Sequence, residues 1–442
     1  MKKVAIALVL LCLVTSENIF SQSNEPPDKT KMQWFADAKL GIFIHWGIYA
    51  VNPTSESWAF HNKHISHADY MKQINGFTAK NYKPEYWAAL IKSSGARYAV
   101  ITSKHHDGVA LWDTKMNDLS IPKKSPANRD VLTPFVKALR DNNIKVGLYY
   151  SLIDWCYPDY PGFLKDSSRY DSAEDPIRWG KFLEFCHGQI RELLKQYNPD
   201  LMWFDGDWEH SAGEWRADYI RSLILKSNPN TIINSRLQGY GDYDTPEQNF
   251  PVTRPASLWW ELCMTTNDSW GYQGKLDTNY KTPYEIISIF ADAISMGGNM
   301  LLDIGPKADG TIPAEQETIL RELGTWTNKH SEAIFGTIAG LPQGHFYGPT
   351  TLSKDSTVLY LFIPAHANGD ITIKGLDSEI KNISVIGNTT PLTWKIVGKI
   401  SWSNVPGLVY IHIPAAVGDK YMTVLKVELK KPIHLYVGKG GF

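Results

Sequence analysis

Disulfide chemistry is the first thing this sequence does without. Only four cysteines occur in 442 residues, and one of them, Cys12, lies close to the N-terminus. The remaining three, Cys156, Cys186 and Cys263, are odd in number, so no disulfide framework is implied. Net charge is missing as well: 45 Lys and Arg face 46 Asp and Glu, a formal balance of -1. That balance excludes the basic footprint of a nucleic-acid binder. An apolar content of 43% excludes a disordered chain. Beyond the run from Val4 to Val14 there is no second hydrophobic span and no low-complexity tract. Nor does any HxH or HExxH spacing of the kind that holds catalytic zinc occur.

That single apolar run reads as a leader. Met1-Lys2-Lys3 is a basic n-region, Val4 to Val14 has the length of a signal-peptide h-region, and small residues follow between Thr15 and Gln22. The run is too short for a permanent anchor, and the large Leu11 before Cys12 argues against a lipidated cysteine. Residues 1–22 are expected to be a signal peptide. The mature protein is then exported, periplasmic or secreted, with no membrane span.

What the chain has in abundance is aromatic side chains, with 16 Trp and 22 Tyr. The stretch Pro199 to Trp208 shows their placement. An apolar run ends abruptly in Asp205, Gly206, Asp207 and Trp208, as a strand buried on both faces does where it meets solvent. The alternative use of Asp205 or Asp207 is to cap the next helix. The same unit recurs: strand patterns at 39–44, 98–102, 145–151, 231–236, 258–262 and 300–305 alternate with helical spacing at 84–94, 131–142, 177–197, 215–226, 284–296 and 314–330. Such alternation predicts a parallel sheet, and strand ends rich in polar and aromatic residues predict a (β/α)8-like (TIM-type) barrel with its site at one mouth. An open doubly wound sheet is the competing arrangement. After Gly336 the pattern changes to short alternating runs punctuated by Gly, Pro and Asn, which predicts a C-terminal antiparallel β-sandwich. The expected division is a catalytic barrel over residues 32–336 and a β-sandwich over 341–442.

Gathered at the strand ends are His45, Trp46, His105, His106, Asp107, Tyr150, Asp205, Asp207, Arg236, Glu261 and Asp303, with Asp242, Asp244 and Glu247 in the loop after Arg236. Three chemistries use such a set. Glycoside hydrolysis needs two carboxyl groups facing each other across the scissile bond. A metal-dependent hydrolase would take His45, His105, His106 and Asp205 as ligands, although adjacent histidines on an extended chain diverge. A non-catalytic sugar-binding protein would be served by the same aromatics and histidines.

Several motifs together resemble one family. GIFIHWG at 41–47, KHHDG at 104–108, Trp-Phe-Asp-Gly at 203–206, SWGY at 269–272 and GGNMLLDIGPKADGTIP at 297–313 are similar to family 29 glycoside hydrolases, the α-L-fucosidases. The resemblance runs from about Met32 to Gly336. It implies a retaining exo-glycosidase that removes terminal α-L-fucose from fucosylated oligosaccharides or glycoconjugates through a covalent fucosyl-enzyme, with no metal and no organic cofactor. It implies Asp205 as the nucleophile. Binding roles fall on His45, His105, His106, Tyr150, Trp203, Arg236 and Trp270. The family's adjacent Glu-Trp is here Glu56-Ser57-Trp58, which assigns Trp58 directly and Glu56 with a displacement of one residue.

Two glutamates compete for the acid/base role. Glu247 follows a proline in a loop, within reach of the aglycone side and of water. Glu261 follows two tryptophans in an apolar run, where a carboxylate braces a pocket more readily than it meets a leaving group. Geometry favours Glu247, with Glu261 kept among the substrate-binding residues.

Overall fold

The computed structural model describes residues 28–274, 278–364 and 368–438; the expected signal peptide lies outside them. Among the described residues, seven strands run parallel in one sheet. They are β1 (Leu40–Ile44), β2 (Tyr98–Lys104), β3 (Lys145–Ser151), β4 (Leu201–Asp205), β5 (Ile232–Ile233), β6 (Glu261–Thr265) and β7 (Asn299–Ile304). Their lateral order is β5-β4-β3-β2-β1-β7-β6. Residues 243–248 fill the gap between the two ends. Parallel bridges join Asn234 to Tyr243 on one side, and Asp244 to Trp260 and Glu247 to Cys263 on the other. The sheet therefore closes as a (β/α)8-like barrel with one irregular stave, and the open-sheet alternative falls.

Each strand is buried on both faces, with alternate residues serving different layers. Phe43, Tyr98, Val100, Tyr149, Leu201, Trp203, Ile232, Cys263 and Leu301 pack together inside the barrel. Ile42, Ile44, Ala99, Ile101, Val146, Leu148, Tyr150, Met202, Phe204 and Leu302 belong to the layer beneath the helices. The outer helices include Pro84–Ser93, Leu132–Asp141, Pro176–Tyr197 and Pro283–Ser295. The sequence signals for their starts are used as such. Asp175 accepts from the Arg178 N–H, and Thr282 with Glu285 forms a reciprocal capping box.

Three elements differ from the sequence expectation. Residues for which the sequence predicted no element form a helix, Lys29–Ala38, whose Met32 and Phe35 plug the N-terminal end of the barrel. The strand expected over 231–236 shrinks to two residues because the Asn234 side chain takes over the ladder. Its Oδ1 accepts from the Phe204 N–H at 2.8 Å and its Nδ2 donates to the Phe204 carbonyl at 2.9 Å. The strand expected over 258–262 starts at Glu261.

The C-terminal β domain holds two antiparallel sheets over one apolar core. One contains Ile338–Ala339, Thr350–Leu352, Val358–Pro364, Met422–Leu429 and Ile380–Val385; the other contains Gly369–Lys374, Leu408–Ile413 and Thr393–Val397. Helix Ala314–Lys329 joins it to the barrel through the Trp326 indole, which donates to the Met422 carbonyl at 2.9 Å.

One glycine fixes the turn at the mouth. Gly206, next to Asp205, has φ +80°, and a Cβ there would lie 2.7 Å from Ile153 Cγ1. Gly206→Ala is expected to cost about 1–3 kcal/mol, read as a lower urea midpoint. An unchanged midpoint would show that the turn relaxes freely.

Candidate active site

The C-terminal strand ends converge on a cavity of about 130 Å³, lined by Phe43, His45, Glu56, Trp58, His105, Tyr149, Trp203, Asp205, Trp208, Arg236, Glu247 and Trp270. A larger cleft of about 670 Å³ lies between barrel and β domain, but its lining gathers no comparable set of polar groups. The chemistry is in the small one. Its walls are aromatic and its polar groups few and converging, as in a site for a single sugar ring.

Asp205 sits at the centre. Its Oδ1 accepts from Arg236 Nη1 at 2.9 Å, and its Oδ2 accepts from the Tyr149 hydroxyl at 2.9 Å, with His106 Nε2 3.6 Å away. Arg236 Nη2 reaches Glu247 Oε2 at 2.5 Å. One planar guanidinium thus ties the two mouth carboxylates together. Its carbon lies 4.7 Å from the Trp203 ring centroid.

The histidines are held from behind. His45 Nδ1 meets Asp303 Oδ1 at 2.6 Å, His106 Nδ1 meets Ser151 Oγ at 2.6 Å, and His105 Nδ1 meets Ser57 Oγ. Contrary to the expected divergence, the His105 and His106 rings lie 4.3 Å apart, because β2 ends at Lys104 and both follow in the turn. Burial lowers all three imidazoles well below their usual value, so they enter the site neutral. Burial also opposes the charge of Arg236, but Asp205 and Glu247 outweigh it and raise the guanidinium. Glu56 Oε1 accepts from the Gly271 N–H at 2.6 Å and so pins the loop that carries Trp270. Among the described residues, no three His, Cys, Asp or Glu side chains are arranged to hold a metal ion.

The structure brings His45, Glu56, Trp58, His105, Trp203, Asp205, Arg236, Glu247 and Trp270 to the cavity. His106 stands behind Asp205 rather than in the lining. Two expected residues are misplaced. Tyr150 points outward against the long helix, where its hydroxyl donates to Gln189 Oε1 at 2.9 Å; its neighbour Tyr149 occupies the site. Glu261 lies under the floor, fully buried, accepting from the Tyr98 hydroxyl at 2.6 Å and the Trp203 indole at 3.1 Å. It supports the pocket and does not line it. Phe43 and Tyr149 are the lining residues that sequence reasoning left out, while Trp208, noted beside Asp205 in the sequence but given no binding role, lines the cavity as well. Strand parity was the signal for Phe43, which shares the inward phase of His45; at β3, where both tyrosines are buried, parity offered no such signal.

A closed parallel barrel with a carboxylate pair, a bridging arginine and neutral histidines around an aromatic cup is an arrangement that glycoside hydrolysis can use. Comparison with known proteins gives the family. The alpha-L-fucosidase family model matches residues 8–332. Tissue alpha-L-fucosidase of Macaca fascicularis is 31% identical over 404 residues, covering 84% of this chain and 82% of that one. Among solved structures, alpha-L-fucosidase isoenzyme 1 from Paenibacillus thiaminolyticus is 32% identical with a TM-score of 0.81, covering 91% of this chain and 99% of that one. A family 29 alpha-L-fucosidase from Bacteroides thetaiotaomicron, trapped as a covalent intermediate with 2-fluoro-fucosyl fluoride in a Glu-to-Gln mutant, aligns at 26% identity and TM-score 0.81 over 92% of this chain and 97% of that one. The chain belongs to the alpha-L-fucosidase family, glycoside hydrolase family 29, and is a retaining α-L-fucosidase.

The two adjacent tyrosines separate cleanly in experiment. Tyr149→Phe is expected to lower kcat on an aryl fucoside at least tenfold, whereas Tyr150→Phe costs about 1 kcal/mol of stability and leaves turnover near wild type. The reverse pattern would reinstate Tyr150. Glu261 gives a pH signature. Burial, opposed by its bonds to Tyr98, Trp203 and Tyr243, raises the carboxyl from the ordinary 4.5 to about 7. The folded state therefore holds this proton more tightly than the unfolded chain. The resulting stability is full below pH 4.5 and is lost as pH rises through about 7, a decline of about 3 kcal/mol. Glu261→Gln is expected to flatten that slope in urea melts across this window.

Proposed function

We propose that Asp205 is the nucleophile and Glu247 the acid/base of this fucosidase. Asp205 attacks the anomeric carbon while the leaving oxygen takes a proton from Glu247, which produces a fucosyl ester on Asp205. Glu247 then removes a proton from water, the water oxygen attacks the same carbon, and fucose leaves with its configuration retained. The single observation that carries this reading is the Arg236 bridge. It holds both carboxylates at the mouth, one buried beside the cup and one with its side chain 39% exposed toward water. Tyr149 and Arg236 hold the two oxygens of Asp205 in place.

Arg236 also pairs with Glu247, and the aglycone oxygen takes that place beside the carboxyl when it accepts the proton. Neutral His45 and His105 then exchange hydrogen bonds with fucose hydroxyls without competing for its charge. Phe43 and Trp270 offer apolar surface to the C6 methyl, and Trp58 closes the opposite wall. The substrates that fit are fucosylated oligosaccharides or glycoconjugates with a terminal, solvent-accessible fucose. Export by the N-terminal leader would bring the enzyme to such glycans.

The test uses two substrates and one label. Asp205→Ala is expected to lower kcat by several orders of magnitude with the melting temperature preserved, and a 2-fluoro-fucosyl label is expected on Asp205 in the wild type. Glu247→Ala is expected to cripple fucosides with poor leaving groups, spare activated aryl fucosides, and recover turnover in azide with retention. A label on another residue removes Asp205 from the role. That substrate pattern in Glu261→Ala, and not in Glu247→Ala, moves the acid/base to Glu261.

A further inference from the structure

Behind the wall of the active site, three side chains that the reaction does not use form a compact soft-donor cluster. His67 and Met71 lie four residues apart on one face of the helix His67–Lys72. Cys156 comes from the loop after β3. His67 Nε2 stands 3.1 Å from Cys156 Sγ, and that sulfur stands 3.7 Å from Met71 Sδ. All three residues are half-buried, so an ion can reach them from solvent.

The surroundings fix these donors independently of one another. Asp154 Oδ1 accepts from the backbone N–H of Cys156 at 3.2 Å and of Tyr157 at 2.9 Å, which sets the loop. The His67 ring is held edge-on by Phe60 and Phe163, each with its centroid 5.0 Å away.

We propose that His67, Met71 and Cys156 form a binding site for a soft monovalent metal ion, Cu(I). One neutral imidazole, one thioether and one thiol make a donor set that hard cations and zinc do not prefer, because the thioether is a soft, uncharged ligand. Donors at about 2.0–2.3 Å from a shared centre lie a little under 4 Å from one another. The sulfur pair already has that spacing, and the imidazole–thiol pair must open from 3.1 Å by about 0.7 Å. Binding replaces the S–H bond of Cys156 by a Cu–S bond and releases one proton to solvent. Copper stays Cu(I) throughout, so no oxidant or reductant is consumed.

The experiment is anaerobic titration of the full protein with Cu(I) against bicinchoninate, a chromogenic Cu(I) chelator. The wild type is expected to remove one equivalent from the chelator, with X-ray absorption reporting one nitrogen and two sulfur donors. Cys156→Ser, which keeps buried Cys186 and Cys263, is expected to lose at least a hundredfold in affinity. Met71→Leu, which keeps the thiol, is expected to lose about tenfold. Melting curves on each variant establish that it is folded, and added Cu(I) is expected to raise the melting temperature of the wild type alone. Equal affinity of wild type and Met71→Leu would reduce the site to a reactive thiol and overturn the proposal. So would retention of binding in Cys156→Ser, or chelator that keeps all of its copper.

Discussion

On a parallel strand buried from both sides, each residue faces either the barrel interior or the helices, and the mouth of this enzyme depends on that phase. β1 turns Phe43 and His45 inward, β3 turns Tyr149 and Ser151 inward, and β4 does the same with Trp203 and Asp205. The register of neighbouring strands keeps these residues level. Ser151 pairs with Asp205 and Tyr149 with Trp203, so the strand ends deliver their inward side chains into one layer. Shifting any one strand by a residue would replace that layer with Tyr150, Phe204 or Ile44 and leave an apolar plug.

That layer then solves an electrostatic problem. A carboxylate as buried as Asp205 is costly unless charge or hydrogen bonds compensate it. Here one guanidinium, one phenol and one imidazole surround it. Three histidines in the same space would repel Arg236 if protonated. Burial keeps them neutral, and the positive charge near Asp205 stays with Arg236. Asp303 supplies the counterpart on the other side: it holds His45 at Nδ1 and so turns the opposite edge of the ring to the cavity.

Much of this was legible in the residues, for physical reasons. The strand–helix alternation and the polar strand ends carry the barrel, because apolar runs bounded by Gly and Pro leave few other solutions. The abrupt change from Phe204 to Asp205 marks the centre of the site. Strand phase was not legible at β3, where Val146, Leu148, Tyr149 and Tyr150 are all apolar or aromatic and burial on both faces erases the alternation. Hence Tyr150 stood where Tyr149 belongs. The two-residue β5 was hidden too, since Asn234 completes the ladder with its side chain and such pairing has no local pattern. The helix Lys29–Ala38 escaped notice because its buried apolar anchors, Met32, Phe35 and Ala38, are few among polar neighbours.

The two competing glutamates show what the irregular stave contributes. Glu261 opens β6 and points into the barrel below Trp203, roofed by an indole and bonded to two phenols. At that depth it is fully buried. Glu247 belongs to the adjacent segment, which meets β6 through only two bridges, at Trp260 and Cys263. A regular strand there would point alternate side chains into the packed interior. The broken ladder instead lifts Glu247 to the rim, where its side chain meets water and Arg236 together. A group proposed to deliver a proton outward and later take one from water belongs at such a boundary.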